Sequence, residues 1–112
     1  MVNIEKIGGA LVVSFQELSK LNVSVSQKVK LEITRLIDQP DLKLIVDLSG
    51  ILYIDSSGFG ALLSILRACK SNNAQLRIVN TSPEVMELVK LLQLHSVFDF
   101  RDTVDSAINS FE

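Results

Sequence analysis

A chain of 112 residues, 47% of them hydrophobic, is long enough to bury one core without disulfide or metal support, so a single domain over residues 1–112 is expected. Eleven Lys and Arg against thirteen Asp and Glu give a formal charge of −2, and no short stretch is dominated by one sign. That scatter argues against nucleic acid and against a polybasic membrane patch, both of which need clustered positive charge.

No apolar run approaches the ~18 residues that a membrane span needs. The opening segment MVNIEKIGGALVVSF carries Glu5 and Lys6 and lacks the basic-then-apolar plan of a secretion signal. A soluble, cytoplasmic protein is the expectation. The single cysteine, Cys69, cannot form an internal disulfide and falls in an apolar helical pattern with Leu62 and Leu66, so a buried, inert thiol is expected.

In chain order, Asn3 to Ile7 and Ala10 to Phe15 are two short strands parted by Gly8-Gly9, a hairpin signal because both glycines take positive φ at little cost. From Ser24 the period changes. Val25, Val29, Ile33, Leu36 and Ile37 follow helical spacing, Ser24 with Gln27 fits a capping box, and Asp38-Gln39-Pro40-Asp41 ends the helix. Leu42 to Leu48 contains the compact run Leu44-Ile45-Val46, which suits a strand covered on both faces. Ile51 to Ile54 is a short apolar approach to Asp55-Ser56-Ser57-Gly58.

A second helix is predicted from Ser56, with Phe59, Leu62, Leu63, Leu66 and Cys69 on one face and an end near Ser71-Asn72-Asn73. Gln75 to Val79 alternates as a strand, and Ser82-Pro83 places a cap before a proline at the first helical position of a third helix. Val97 to Phe100 is read as an extended fragment, and Thr103 as the cap of a last helix with Val104, Ala107, Ile108 and Phe111 inward. The order is β-β-α-β-α-β-α with a terminal fragment and helix. Right-handed crossovers then give a mixed α/β sheet opened by an antiparallel hairpin and flanked by helices.

The segment Asp55-Ser56-Ser57-Gly58-Phe59-Gly60 is where chemistry concentrates. Either Asp55 or Ser56 is placed to cap the helix, because a side-chain oxygen satisfies free backbone N–H groups there. The same N-terminus, with its donors and partial positive charge, accommodates a phosphate. A phosphoryl group on Ser56 would add roughly −1.5 to −2 charge without unfolding the helix. Gly58 and Gly60 carry no side chain to obstruct a visitor.

The run Leu44-Ile45-Val46-Asp47-Leu48-Ser49-Gly50-Ile51-Leu52-Tyr53-Ile54-Asp55-Ser56-Ser57-Gly58-Phe59-Gly60 resembles the signature of bacterial anti-sigma factor antagonists, the STAS domain family that is also found at the ends of sulfate transporters. The resemblance covers nearly the whole chain and implies a mixed four- or five-stranded sheet flanked by helices. It implies that Ser56 is phosphorylated by an anti-sigma factor with serine kinase activity, and that Ser57 is the neighbour usually left unmodified. By the same resemblance the unphosphorylated form sequesters that anti-sigma factor, phosphorylation releases it, and a PP2C-type phosphatase restores the first state. Asp55, Ser57, Gly58, Phe59, Gly60 and Ile65 are the expected partner-binding or loop-positioning residues. One departure stands out: Gln16-Glu17-Leu18-Ser19 keeps only the central Glu-Leu of a Gly-Glu-Leu-Asp turn that in the family helps form the partner surface.

Rival chemistries are poorer fits. A serine hydrolase needs a base and a group to orient it, whereas His95 is the single histidine and the motif is not Gly-x-Ser-x-Gly. His95 is expected to be a partly buried structural residue. A nucleotide-binding module is the closer alternative, yet the Gly-Lys-Ser/Thr ending of a P-loop is missing, so ATP is assigned to the partner kinase. A docking module that works without phosphorylation would use the second face of the helix, Ala61, Ile65 and Ala68, as its contact. No enzyme activity, metal or cofactor is expected, since one His, one Cys and scattered carboxylates give no ligand spacing.

Overall fold

The computed structural model describes residues 2–111. Its elements are β1 (Val2–Ile7), β2 (Ala10–Phe15), β3 (Lys20–Leu21), α1 (Ser26–Thr34), β4 (Lys43–Asp47), β5 (Tyr53–Ile54), α2 (Ser56–Ser71), β6 (Gln75–Val79), α3 (Pro83–Leu91), β7 (Phe100–Arg101) and α4 (Val104–Ser110). Five strands form one sheet in the order β1-β2-β4-β6-β7, with β1 antiparallel to β2 and every other pair parallel. The expected mixed α/β sheet is therefore the observed one.

The opening hairpin closes at Gly8 and Gly9, whose φ values of 56° and 81° need glycine or a strained substitute. Leu44, Ile45 and Val46 of β4 are all fully buried, as a strand covered on both faces requires. Leu44 and Val46 join the larger core with Val29 and Ile33 of α1, Phe59, Leu62, Ile65 and Cys69 of α2, and Val85 and Val89 of α3. Ile45 faces the other way, into a smaller cluster with Val12, Val79 and Ala107 of α4. Burial of this side chain set removes apolar area from water at roughly 25 cal/mol per Å² and is the main driving force for the layered fold.

Two expectations at α1 are corrected. Ser24 and Gln27 form no capping box: Val25 occupies the cap position without a side-chain bond. Asn22 does the work instead, since its backbone carbonyl accepts from the Val25 and Ser26 N–H groups and from the Ser26 hydroxyl, and its side chain accepts from the Ser24 N–H. The helix also ends at Thr34, and Leu36 and Ile37 continue in tight i→i−3 turns that still bury Ile37. At the other helices the local signals hold: Ser82 caps α3 through the Val85 N–H, and Thr103 caps α4 in a reciprocal box with Ser106.

Residues 20–21 and 53–54 form a second, two-stranded parallel sheet outside the main one. This small sheet sets the approach to the Asp55-Ser56 turn.

Candidate functional site

The start of α2 is built from three separate pieces of chain. β5 is held against the β3 segment by Leu52 N–H to Ser19 O (2.7 Å), and Asp55 N–H then donates to Leu21 O (3.1 Å). This fixes the residue that turns the chain from strand to helix.

Asp55 is the cap, in extended conformation, and its carboxylate bridges two loops. Oδ1 accepts from the Gly58 N–H (3.0 Å) and from the Ser57 hydroxyl (2.5 Å), while Oδ2 accepts from the Val23 N–H (3.2 Å) across the gap to the loop before α1. The Ser57 hydroxyl, followed by the Gly58 N–H, holds the Asp55 carboxyl below its usual range, because hydrogen bonds to the charged form favour it. Between the two cap candidates, the structure assigns the role to Asp55.

The two adjacent serines differ sharply. Ser56, the first residue of α2, is exposed, and its hydroxyl makes no hydrogen bond to any described residue. Ser57 is half-buried. Its hydroxyl donates to Asp55 and lies 3.1 Å from the Ser26 hydroxyl, which itself donates to Asn22 O at 2.6 Å. Each hydroxyl carries one hydrogen, so both hydrogens are committed inside the protein.

Gly58 is corrected as a site of close approach by a visitor. It is buried, and a Cβ there would collide with the Leu21 carbonyl oxygen and come within 2.6 Å of Ile54 Cγ2. Its missing side chain is required by the protein's own β3 segment. Gly60 is different, since a Cβ there would meet nothing within 4 Å, and it lines an open groove of about 380 Å³ with Ser26, Gln27, Lys30, Ser57, Ala61 and Ser64 between α1 and α2.

Phe59 and Ile65 point into the main core, at 5% and 0% exposure. The partner contact expected of Ile65 is therefore corrected: a fully buried side chain is part of the packing of α2 and offers no surface to another protein. Phe59 positions the helix by the same burial. The exposed apolar side chains on the segment leading into α2 and on the loop bonded to Asp55 are instead Leu52, Tyr53 and Val23, none of which stood out in the sequence. Val23 is brought in from 32 residues away, a distance that no local pattern reports.

Elsewhere, Cys69 is buried and burial pushes its thiol up to about 11, as expected for an inert structural cysteine. His95 is exposed, on the rim of an open hollow formed by residues 95–101, which corrects the expected partial burial. No cluster of three or more His, Cys, Asp and Glu suited to a metal occurs among the described residues. No helix among them is long and apolar enough to cross a membrane.

A mostly parallel sheet with an antiparallel opening hairpin, flanked by helices, and a serine displayed at a capped helix start define a small mixed α/β domain. The family model described as the STAS domain matches residues 1–107, and the chain belongs to that family. It is 21% identical over 111 residues to a Bordetella bronchiseptica protein, BtrV, described as a candidate anti-sigma factor antagonist, covering 99% of this chain and 94% of that one. The fold matches an anti-sigma-factor antagonist (STAS) domain protein from Planctomyces limnophilus with a TM-score of 0.90, 16% identity and coverage of 98% and 97% of the two chains. It also matches the Bacillus cell fate determinant SpoIIAA in its phosphorylated form, with a TM-score of 0.70, 18% identity and full coverage of both chains.

Proposed function

We propose that this protein is a cytoplasmic anti-sigma factor antagonist controlled by phosphorylation of Ser56. Unphosphorylated, it binds an anti-sigma factor that is also a serine kinase. The kinase transfers the γ-phosphoryl group of ATP to the Ser56 hydroxyl, whose proton is lost as the new O–P bond forms and the bond to ADP breaks. The modified protein dissociates, and a PP2C-type phosphatase returns it to the binding state by hydrolysis. The chain's own role is regulatory, and ATP belongs to the partner.

The observation that carries this reading is the contrast between the exposed, unengaged hydroxyl of Ser56 and the committed hydroxyl of Ser57 one residue on. A kinase reaches the first without breaking any internal bond and would have to break the Ser57 hydroxyl's bonds to Asp55 and Ser26 to reach the second. An interface shaped for a neutral hydroxyl and for the exposed Val23, Leu52 and Tyr53 of the adjoining segments must desolvate or repel a group carrying roughly −1.5 to −2 charge. Close like-charge contact of that kind costs several kcal/mol, which is more than enough to switch a partner.

Incubation with the serine-kinase anti-sigma factors of the same genome and ATP, followed by mass spectrometry, tests the assignment. Modification at Ser56 alone is expected, with Ser56→Ala binding constitutively and Ser56→Asp binding at least about tenfold more weakly. Modification at Ser57, or unchanged binding by Ser56→Asp, would sink the reading.

A further inference from the structure

The basic residues that look scattered along the chain are segregated in space. α1 and α2, counted with their cap residues, carry Lys28, Lys30, Arg35, Arg67 and Lys70 against Glu32 within α1 and Asp55 at the start of α2. The remainder of the chain holds six cations and eleven carboxylates. A protein of net charge −2 thus has one strongly positive layer and an acidic remainder.

The two helices pack side by side on one face of the sheet, and their starts touch through the Ser26 and Ser57 hydroxyls. Ser56 therefore stands at one end of the positive layer. None of the five cations forms an ion pair with a described residue, since the ion pairs there join Asp99 to Arg77 and Arg101. Glu32, the one carboxylate within the two helices, pairs with none of them: its Oε2 is shielded from solvent and has no hydrogen-bond partner. Leu31 lies 43% exposed in a shallow hollow on α1 that Lys28, Glu32 and Arg35 also line, an apolar anchor beside two cations.

From this geometry we infer that the α1–α2 layer is a docking surface for an acidic face of the partner protein. The inference rests on the phospho-switch reading, in which that partner is the serine-kinase anti-sigma factor. Carboxylates on the partner meet Lys28, Arg35, Arg67 and Lys70, and an apolar side chain covers Leu31. The arrangement also gives phosphorylation a longer reach than a local clash. A near-dianion on Ser56 subtracts from the positive field of the layer and repels the same acidic face, slowing encounter as well as loosening the complex.

The test compares two charge-reversed variants of the full chain in association kinetics with the serine-kinase anti-sigma factors of the same genome, from low to high salt. Lys28→Glu/Arg35→Glu/Arg67→Glu alters the layer, and Lys6→Glu/Lys43→Glu/Lys90→Glu makes the same charge change outside it. The layer variant should associate about tenfold more slowly at low salt and lose most of the salt dependence, with the control within about twofold of the unaltered protein. Equal rates for the two variants would overturn the docking surface. If Ser56→Asp still abolishes binding in that case, the phospho-switch stands without it. If Ser56→Asp binds normally while the layer variant fails, the surface stands and the switch falls. Adsorption to phosphatidylglycerol vesicles through these cations, with no binding to any of the kinases, would assign the layer to a membrane and overturn the proposal.

Discussion

The starts of α2 and α3 look alike as sequence and behave differently as structure. Each follows a strand of the sheet or its approach, and each is capped by a side-chain oxygen accepting from a backbone N–H three residues on, Gly58 for Asp55 and Val85 for Ser82. Ser82 does only that, helped by Pro83 at the first helical position. Asp55 in addition binds the Val23 N–H of a distant loop and the Ser57 hydroxyl, and so turns a local cap into the point where three segments meet. The lesson is that capping residues alone do not mark a functional helix start. What sets the start of α2 apart is that its cap is tied into tertiary structure while the next hydroxyl is left displayed.

Substitutions can break this contrast, and the largest effect is expected at Gly58. Gly58→Ala drives a methyl group into the Leu21 carbonyl, a backbone atom that cannot swing aside, and should lower stability by about 2–3 kcal/mol in urea unfolding. Gly60→Ala, two residues on with open space around it, should instead raise stability by about 0.5–1 kcal/mol because glycine is a poor helix former. A similar loss at both would mean that β3 does not press on α2.

Asp55→Ala should destabilise the protein more than Ser82→Ala in the same measurement, since it strips partners from Val23 and Ser57 as well as from the helix end. Comparable midpoint shifts would reduce Asp55 to an ordinary cap. The acid limb sharpens the point. Because the folded Asp55 carboxyl is held below its ordinary 3.8, its contribution is complete above that value and is lost as pH falls through the folded value. Thermal melts of Asp55→Asn should therefore lose less stability than the unaltered protein on acidification below about pH 4. Asp99 is also held low, by Arg101 first and Arg77 second, so some acid sensitivity remains in the variant.

Ser82→Ala should cost only about 1 kcal/mol of stability and leave partner binding unchanged. Loss of binding there would show that α3 takes part in the interface.

The sequence made most of the architecture legible. Period-2 and period-3.6 patterns located the hairpin, β4, α2, β6 and α3 within a residue or two, because those elements bury a regular apolar face and so must display it in the chain. The two-residue strands β3 and β5 escaped, since such a pair has no periodicity to read and owes its existence to pairing across 33 residues. The shorter α1 and the role of Asn22 escaped for a related reason: Ile37 stays buried and Leu36 partly buried in turns, so burial alone could not tell helix from turn.

Within the site, the chain itself determined that a serine would stand at a capped helix start, because strand, cap, small residues and amphipathic helix follow in order. Which oxygen caps, which hydroxyl is displayed, why Gly58 tolerates no side chain and where the cations gather were decided only in three dimensions. Those properties depend on Val23, Ser26, Leu21 and α1, brought against α2 by crossovers that local sequence does not encode. Short-range forces choose the elements, and the meeting of distant segments chooses which of their atoms remain available to a partner.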